Sequence, residues 1–389
     1  MSREVKGVVA ALLVLLLLKG AHVADLLPGF LSAWNDGLVS TLSNRGLNRE
    51  AREALTSGYY EGLLNEGSRL STMNRFVLDN RRPSWEDNSR PESRPTGDFL
   101  YYEHIPDAST PDYRDQRFRY MLTTNSAGMA DQDYPLVKPE RSRRIALLGD
   151  SLTRGLGAPP GGNYESFLEH QLNDAYTTEH VSQYEILNFA VSGYHITQLL
   201  EAAKVKATPY DPDLFLVALS DLSVYRRWHG HIAALLYSGI DLKYQYLRDL
   251  VADARITADD PIGLIDARLA RERLPTIRWV INELQAHAAE HEASLMVVLV
   301  PSTEDPDTLE ESFLGLREML FEEGVDYIDL LDAFADQSDM LASRVADGDR
   351  HPNAYGHRLL FERLYERLLE DRHLLESLTG VSVEQHDLP

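Results

Sequence analysis

The chain contains no cysteine among its 389 residues. This excludes disulfide bonds, thiolate catalysis, cysteine-ligated zinc sites and a lipid-modified N-terminal cysteine, but it does not fix the compartment. Basic residues are also scarce, with 38 lysines and arginines against 61 aspartates and glutamates, which gives a formal net charge of −23. Because so acidic a surface repels phosphate backbones, nucleic acid is not an expected partner.

Hydrophobic runs are short, and the N-terminal one, Val8 to Leu18, is eleven aliphatic residues long. That length fits a signal-peptide core and is short for a membrane span of about 20 residues. Lys19 ends the run, no clean Ala-x-Ala cleavage site follows, and residues 21–27 could lengthen it. We therefore expect residues 1–27 to be an uncleaved membrane anchor with the rest of the chain outside the cytoplasm. Cleavage to a secreted or periplasmic protein is the alternative.

Beyond this segment, the composition changes several times along the chain. Leucines and tyrosines at helical spacing, then a stretch rich in Arg, Pro, Ser and Asn, predict a helical extension and linker over residues 28–98. Residues 99–143 are an aromatic, turn-rich lead-in, for which we expect short strands or extended coil. Residues 144–378 form the main domain, with a predicted helical insertion at 222–274, and residues 379–389 form a tail.

Within the main domain, apolar runs alternate regularly with helical patterns. This alternation predicts βαβ units and a parallel sheet. The predicted strands are 145–148, 184–188, 214–219, 295–300 and 325–330, and the predicted helices are 164–176, 197–207, 277–290, 309–323 and 355–378.

The first chemical signal follows the first of these strands, as Gly149-Asp150-Ser151. In open α/β sheets, ligands sit at the carboxyl ends of the strands, where Ser151 is expected. A serine there can be a nucleophile if a base and oxyanion donors reach it. The alternative is an ordinary turn followed by a helix cap, because Asp and Ser are both favoured in turns.

Three further segments follow in order: Asn188 to Tyr194, the strand end Ala218-Leu219-Ser220-Asp221, and Asp347 to His357. Together with the Gly-Asp-Ser-Leu segment at 149–152, they resemble the sequence blocks of the SGNH (GDSL-type) hydrolases, in a subgroup with an N-terminal extension. The resemblance covers residues 120–370 approximately. It implies a flavodoxin-like three-layer α/β/α sandwich around a parallel sheet.

The resemblance also assigns roles to individual residues. Ser151 would be the nucleophile and His351 the general base, with no metal and no organic cofactor. The family's usual Asp-x-x-His spacing would place the orienting acid at Gly348. We therefore expect Asp349 to orient His351, with Asp347 as the reserve candidate.

The predicted oxyanion donors are the backbone N–H groups of Ser151 and Gly193 and the side chain of Ser220. The family usually has an asparagine where Ser220 stands and a glycine where Ala218 stands. A serine hydroxyl donates one hydrogen bond but is shorter than an amide arm. Three alternatives are open: Ser220 reaches through an adjusted backbone, the oxyanion hole is weaker, or the protein is not a hydrolase.

The residues indicate the catalytic mechanism more closely than they indicate the substrate. Family members act on acylated carbohydrates, lysophospholipids and simple esters, and the acidic, membrane-tethered character favours O-acyl esters of a glycan. The alternatives are a lipid-directed (lyso)phospholipase and a catalytically weakened binding or scaffold protein in surface-polysaccharide assembly. Trp228, His229 and His231 in the insertion are candidates for sugar contact. A metal site at the His-x-His pair is disfavoured because no third ligand lies at nearby spacing.

Overall fold

The computed structural model of the protein describes residues 91–111, 120–225, 228–337, 339–346 and 349–382. The predicted anchor (1–27), nearly all of the predicted helical extension (28–98) and most of the predicted tail (379–389) lie outside these ranges. Within the described ranges, every helix is too short or too polar to pass through a lipid bilayer.

Short antiparallel strand pairs build the lead-in segment, as its turn-rich sequence predicts. The first pair joins β1 (Ser93–Pro95), which still belongs to the predicted linker, to β2 (Tyr102–His104), and the second joins β3 (Ser109–Pro111) to β4 (Met121–Thr123).

The central sheet consists of five parallel strands: β5 (Ser142–Leu148), β6 (Gln183–Asn188), β7 (Leu214–Ser220), β8 (Ser294–Val300) and β9 (Asp326–Asp329). Their spatial order is β6-β5-β7-β8-β9, the order of flavodoxin-like folds. The winding direction reverses between β5 and β7, and ligands of such sheets bind beside that point at the carboxyl ends of the strands. The predicted fold is confirmed.

Helices cover both faces of this sheet. They are α1 (Ser151–Arg154), α2 (Tyr164–Ala175), α3 (Ile196–Ala202), α4 (Asp221–Val224), α5 (Gly230–Ser238), α6 (Gln245–Asp253), α7 (Ile262–Leu269), α8 (Arg273–Glu290), α9 (Pro306–Phe313), α10 (Leu316–Glu322), α11 (Ala354–Glu370) and α12 (Arg372–Thr379). An antiparallel pair, β10 (Arg344–Ala346) and β11 (Asp349–Pro352), precedes α11. Helices α4 to α7 confirm that the predicted insertion is helical.

Two of the predicted helices are each divided in the structure. The helix predicted at 309–323 breaks at Leu314 and Gly315, where glycine adopts a φ of 77°. The helix predicted at 355–378 ends at Asp371, whose carboxylate accepts hydrogen bonds from the N–H groups of His373 and Leu374 and so begins a new helix.

The strands of the sheet are buried on both faces, as their uninterrupted apolar runs predict. In β5, Ala146 and Leu148 pack into one core cluster, and Ile145 and Leu147 pack into the other, because successive side chains of a strand point to opposite faces. Side chains of α3 and α5 to α10 complete the first cluster, and those of α2, α11 and α12 complete the second. The molecule therefore has three layers, with the sheet in the middle.

The lead-in belongs to the first of these clusters. Residues 99–102 are buried there together with the insertion helices. Gln198 Nε2 donates to Leu100 O at 2.9 Å, and the ring Nε2 of His231 lies 2.7 Å from Phe99 O. The lead-in and the insertion are thus packed against each other on one face of the sheet.

Two arginines at the start of β5 join distant parts of the chain. Arg144 is fully buried and pairs with Glu185 of β6 at 2.6 Å, while its guanidinium also donates to carbonyls of the lead-in and of Tyr210. Arg143 donates to the carbonyls of Ser377 and Leu378 in α12, at 2.7 and 2.8 Å.

We predict that Arg144→Ala lowers the free energy of unfolding by about 3–5 kcal/mol, because Glu185 would stay buried without its partner. Arg372→Ala is the control, since Arg372 and Glu376 form an ion pair at the surface, and its loss should cost less than about 1 kcal/mol. Denaturant titration of the full-length variants measures both. Equal losses in the two variants would contradict the structural role assigned to Arg144.

Candidate active site

Three side chains predicted to act together meet at the carboxyl end of β5. Ser151 Oγ lies 2.7 Å from His351 Nε2, and His351 Nδ1 lies 2.5 Å from Asp349 Oδ1. Because β11 is extended, Asp349 and His351 project from the same side of the strand. Asp349 also accepts a hydrogen bond from the backbone N–H of His351. The Asp-x-His spacing can therefore form an orienting contact, and Asp347 lies outside the described residues.

The turn after β5 places Ser151 at the first position of α1. Gly149 is required there, because a Cβ at this position would come within 2.5 Å of the Thr153 side chain. Asp150 caps the helix by accepting a hydrogen bond from Leu152 N at 3.0 Å.

The strand that carries His351 is held by the loop after β8. The backbone N–H and the hydroxyl of Thr303 both donate to Arg350 O, at 2.9 and 2.8 Å. The Arg350 side chain, which alternates with those of Asp349 and His351, forms a buried ion pair with Glu304. Because successive side chains of a strand point to opposite sides, the sequence could have predicted that the Arg350 side chain points away from those of Asp349 and His351. No local sequence pattern identifies Glu304 as its partner.

Asn353 fixes the other end of the same strand. Its amide donates to the carbonyls of Ala342 and Arg344, and its side-chain oxygen accepts hydrogen bonds from the N–H groups of Tyr355 and Gly356 at the start of α11. The asparagine of the His-Pro-Asn segment therefore closes the loop and caps the helix.

Two backbone N–H groups are available near the nucleophile. Within the described residues, the N–H groups of Ser151 and Gly193 donate to no oxygen. Gly193 has a φ of 82°, a conformation that favours glycine. Val191 N donates to Gly149 O at 3.2 Å, which holds the Gly193 loop beside the end of β5. The Ser151 N–H thus lies at the start of α1, and the Gly193 N–H lies in the neighbouring loop after β6.

Ser220 differs from its expected role. Its hydroxyl donates to Asp150 Oδ2, and its oxygen accepts from Ser223 N at 3.2 Å as the cap of α4. The single hydrogen of Ser220 is therefore committed to Asp150 instead of to an oxyanion. The structure thus gives the side chain at this position a different function from the asparagine usual in the family that the sequence resembles.

Burial raises the pKa of Asp150 to about 6, although the hydrogen bonds from Ser220 and Leu152 and the proximity of His351 oppose this rise. Above that pH, Asp150 is a carboxylate and holds the hydrogen of Ser220. The pair therefore links the ends of β5 and β7 at the residue that precedes the nucleophile.

The family of the chain follows from its main domain. A model of the GDSL-like lipase/acylhydrolase family matches residues 147–359, more than half of the chain. The chain belongs to this family. It is a carboxylic ester hydrolase. No curated protein matches the chain.

Several solved structures resemble this acylhydrolase at low identity. Axe2, an acetylxylan esterase from Geobacillus stearothermophilus, is 15% identical, with 59% of this chain and 95% of that chain covered and a TM-score of 0.40. LAE5, an alpha/beta hydrolase from the metagenome of Lake Arreo in Spain, is 16% identical, with 63% and 99% covered and a TM-score of 0.39. A two-domain esterase active on acetylated mannans is 12% identical, with 63% and 51% covered and a TM-score of 0.39.

The aromatic residues predicted to contact a sugar are instead part of the core of the acylhydrolase. Trp228, His229 and His231 are at most 3% exposed. The ring of His231 lies within hydrogen-bonding distance of Thr197 Oγ1 and Phe99 O, and burial lowers its pKa to about 3. The prediction of substrate contact is wrong for these three residues, because they are buried in the core, where His231 joins the insertion to the lead-in.

One group in the described part of the chain has side chains spaced for a metal ion. It consists of His287 and Glu290 in the last turn of α8 and His291 directly after it. The ring Nε2 of His287 already lies 2.7 Å from Thr208 Oγ1. His229 and His231 do not belong to this group.

A cleft of about 370 Å³ opens beside α1. Arg154, one turn after Ser151, lines it together with polar residues of the lead-in and of the first turns of α2. Asp131, Glu165 and Glu169 also line the cleft, and burial raises the pKa of all three carboxyls. Repulsion from Glu169 raises the pKa of Asp131 further, and repulsion from Asp131 and Glu169 does the same for Glu165. For Glu169, the repelling group is Glu185. The sequence did not predict this cluster, because residues 131 and 165 are far apart in the chain.

We predict that Ser220→Ala lowers kcat for a short-chain ester by less than about tenfold. Loss of a true oxyanion donor would cost roughly 100- to 1,000-fold. The smaller loss is expected because the Ser220 hydroxyl donates to Asp150. Its effect on Ser151 is indirect, since Asp150 caps the helix α1 on which Ser151 lies. Steady-state kinetics decide between the two roles. A loss above about 100-fold with unchanged KM would show that the hydroxyl turns towards the oxyanion during the reaction.

We also predict that Glu165→Gln raises the thermal stability at pH 8 and has little effect at pH 5. A buried acid with a raised pKa keeps its proton in the folded protein at pH values where the unfolded chain has lost it. Stability therefore falls as the pH rises from about 4 through the pKa of the folded state. Each kcal/mol regained should raise Tm by about 2–4 °C. Glu179→Gln, an exposed change in the loop after α2, is the control, and an equal response of both variants would contradict the prediction.

Proposed function

We propose that the protein hydrolyses O-acyl esters, such as acetyl esters, of a glycan outside the cytoplasm, with Ser151, His351 and Asp349 as its catalytic residues. The observation that carries the mechanism is the continuous chain of contacts from Ser151 Oγ through the imidazole of His351 to the carboxylate of Asp349. A serine needs such a base, and the base needs such an orienting group, to act as a nucleophile.

In the acylation step, Ser151 Oγ forms a bond to the ester carbonyl carbon while His351 Nε2 takes the hydroxyl proton. Asp349 accepts the hydrogen bond of Nδ1–H and stabilises the imidazolium. The N–H groups of Ser151 and Gly193 donate to the oxyanion. The tetrahedral intermediate then collapses, and the sugar oxygen leaves with the proton from His351.

Deacylation repeats these steps with water as the nucleophile. His351 takes a proton from water, the hydroxide adds to the acyl carbon, and Ser151 leaves with that proton restored. The products are a free carboxylic acid and the regenerated enzyme. This chemistry uses groups of the chain and of the substrate together with one water molecule.

The choice of a glycan is supported by the cleft beside α1. Its carboxyl, amide and guanidinium groups suit the hydroxyls of a sugar better than an acyl chain of a lipid. Ser151 does not line the cleft itself, but Arg154 at its wall lies on the same helical turn. The formal charge of −23 is compatible with a neutral or cationic polymer. The hydrophobic segment at residues 1–27 supports a location outside the cytoplasm.

We predict that a fluorophosphonate probe labels the wild-type protein and that Ser151→Ala abolishes both labelling and esterase activity. Asp349→Asn should lower kcat by roughly 10⁴-fold, because the imidazole loses its correct tautomer. Asp347→Asn is the matched control and should have a small effect. Labelling that persists in Ser151→Ala, or a larger loss in Asp347→Asn than in Asp349→Asn, would overturn these roles.

The substrate class needs a separate measurement. Release of acetate from an O-acetylated oligosaccharide should exceed release of fatty acid from a lysophospholipid at equal concentration. The reverse order would favour a lipid-directed enzyme. A protein that binds the oligosaccharide without hydrolysing any ester would be a binding protein on this fold.

A further inference from the structure

A tyrosine of the lead-in reaches the loop that carries Gly193. Tyr102 Oη, on β2, donates to the backbone carbonyl of Ser192 at 2.8 Å, 90 residues further along the chain. Tyr102 is 6% exposed and Ser192 is 3% exposed, so this hydrogen bond is shielded from water. We propose that Tyr102 is a positioning residue, which orients the Ser192–Gly193 peptide so that its N–H group serves the oxyanion. This inference rests on the proposed function.

The physical basis is the planarity of the peptide group. The Ser192–Gly193 bond is trans, like all peptide bonds of the described residues, so its C=O and N–H point in opposite directions. A donor that holds the carbonyl oxygen on one side therefore directs the N–H to the other side. The Gly193 N–H is the group that donates to no oxygen within the described residues.

A glycine makes such an anchor necessary. Gly193 has a φ of 82°, and a residue without a Cβ reaches positive and negative φ about equally readily. The peptide before it can therefore turn over at little steric cost. Neighbouring contacts hold the flanks of the loop, since Val191 N donates to Gly149 O and Tyr194 N to Val191 O. The Tyr102 hydroxyl acts on the peptide group itself.

The interface also contains a second bond of the same kind, which provides a matched control. Tyr194 Oη donates to Tyr102 O at 2.7 Å, and the two rings lie 5.3 Å apart in an edge-to-face arrangement. Tyr194 is 2% exposed. Tyr194→Phe thus removes one buried hydrogen bond between the same two segments without touching the Ser192 carbonyl. A general loosening of the lead-in would affect both variants alike.

Tyr102 lies outside residues 147–359, the part of the chain that matches the family model. The positioning function is therefore assigned to a segment that this chain adds to the family domain. Its partner Ser192 lies inside the matched part. The lead-in would thus contribute to the active site through one hydroxyl group.

The kinetic test compares full-length Tyr102→Phe and Tyr194→Phe with the wild type on a short-chain ester. Tyr102→Phe should lower kcat about 5- to 50-fold with KM within about twofold, a smaller loss than removal of an oxyanion donor causes. The rate of Ser151 labelling by the fluorophosphonate should fall in parallel. Tyr194→Phe should keep kcat within about threefold, while both variants lose similar Tm. Equal kcat values in the two variants, or a change in KM alone, would overturn the proposal.

A spectroscopic test reports on the peptide directly and needs no activity. The sequence contains three Ser–Gly pairs, at positions 57–58, 192–193 and 238–239. Protein labelled with ¹³C at serine carbonyls and ¹⁵N at glycine therefore gives three signals in a carbonyl-filtered amide spectrum, and Ser192→Ala identifies the one from Gly193. Tyr102→Phe should move this signal more than Tyr194→Phe does. An unmoved signal would overturn the proposal.

The two tests separate the proposal from the function on which it rests. A wild-type protein that neither hydrolyses esters nor reacts with the probe refutes the proposed function, while the spectrum still decides whether Tyr102 orients the peptide. An active wild type with an active, unshifted Tyr102→Phe variant refutes the role of Tyr102 alone.

Discussion

The hydrogen bond between Ser151 and His351 joins two side chains that are 200 residues apart, and the rest of the structure holds these two ends together. The serine is held by the sheet, because β5 is buried on both faces and paired on both sides. The histidine is held by polar contacts, since its strand belongs only to a two-stranded pair. The Glu304–Arg350 ion pair, the two Thr303 bonds and the Asn353 amide supply those contacts. The position of His351 therefore depends more on individual side chains than the position of Ser151 does.

Much of the fold could be predicted because parallel strands buried on both faces have an unmistakable apolar pattern. The five strands, the intervening helices and the helical character of the insertion all follow from such patterns. The breaks at Gly315 and Asp371 were missed, because the apolar positions on either side continue at helical spacing. Only the backbone shows that the carboxylate of Asp371 caps a new helix. The local spacing of apolar residues therefore predicts the presence of a helix or strand better than it predicts the residue at which the element ends.

The candidate site was predictable where residue type and spacing decide the geometry. Asp349 and His351 are two apart on an extended strand, so they share a side whatever surrounds them. Ser220 was harder to interpret, because its partner Asp150 lies 70 residues away and no pattern joins them. The same holds for His231, whose ring lies against Phe99 of the lead-in, 132 residues earlier in the chain. Contacts between distant segments are set by tertiary packing, which local sequence patterns do not record.

The bonds from Arg143 to the end of α12 have a consequence for biosynthesis. The acceptor carbonyls, of Ser377 and Leu378, follow Arg143 by 234 and 235 residues. At a synthesis rate of 5–20 residues per second, the arginine is made about 10–50 s before its partners exist. During synthesis, the first strand of the central sheet therefore lacks these two hydrogen bonds until almost the last of the described residues have been made. A translation product that stops before α12 would lack these acceptors, and the Arg143 guanidinium at the start of β5 would not make its two hydrogen bonds to α12.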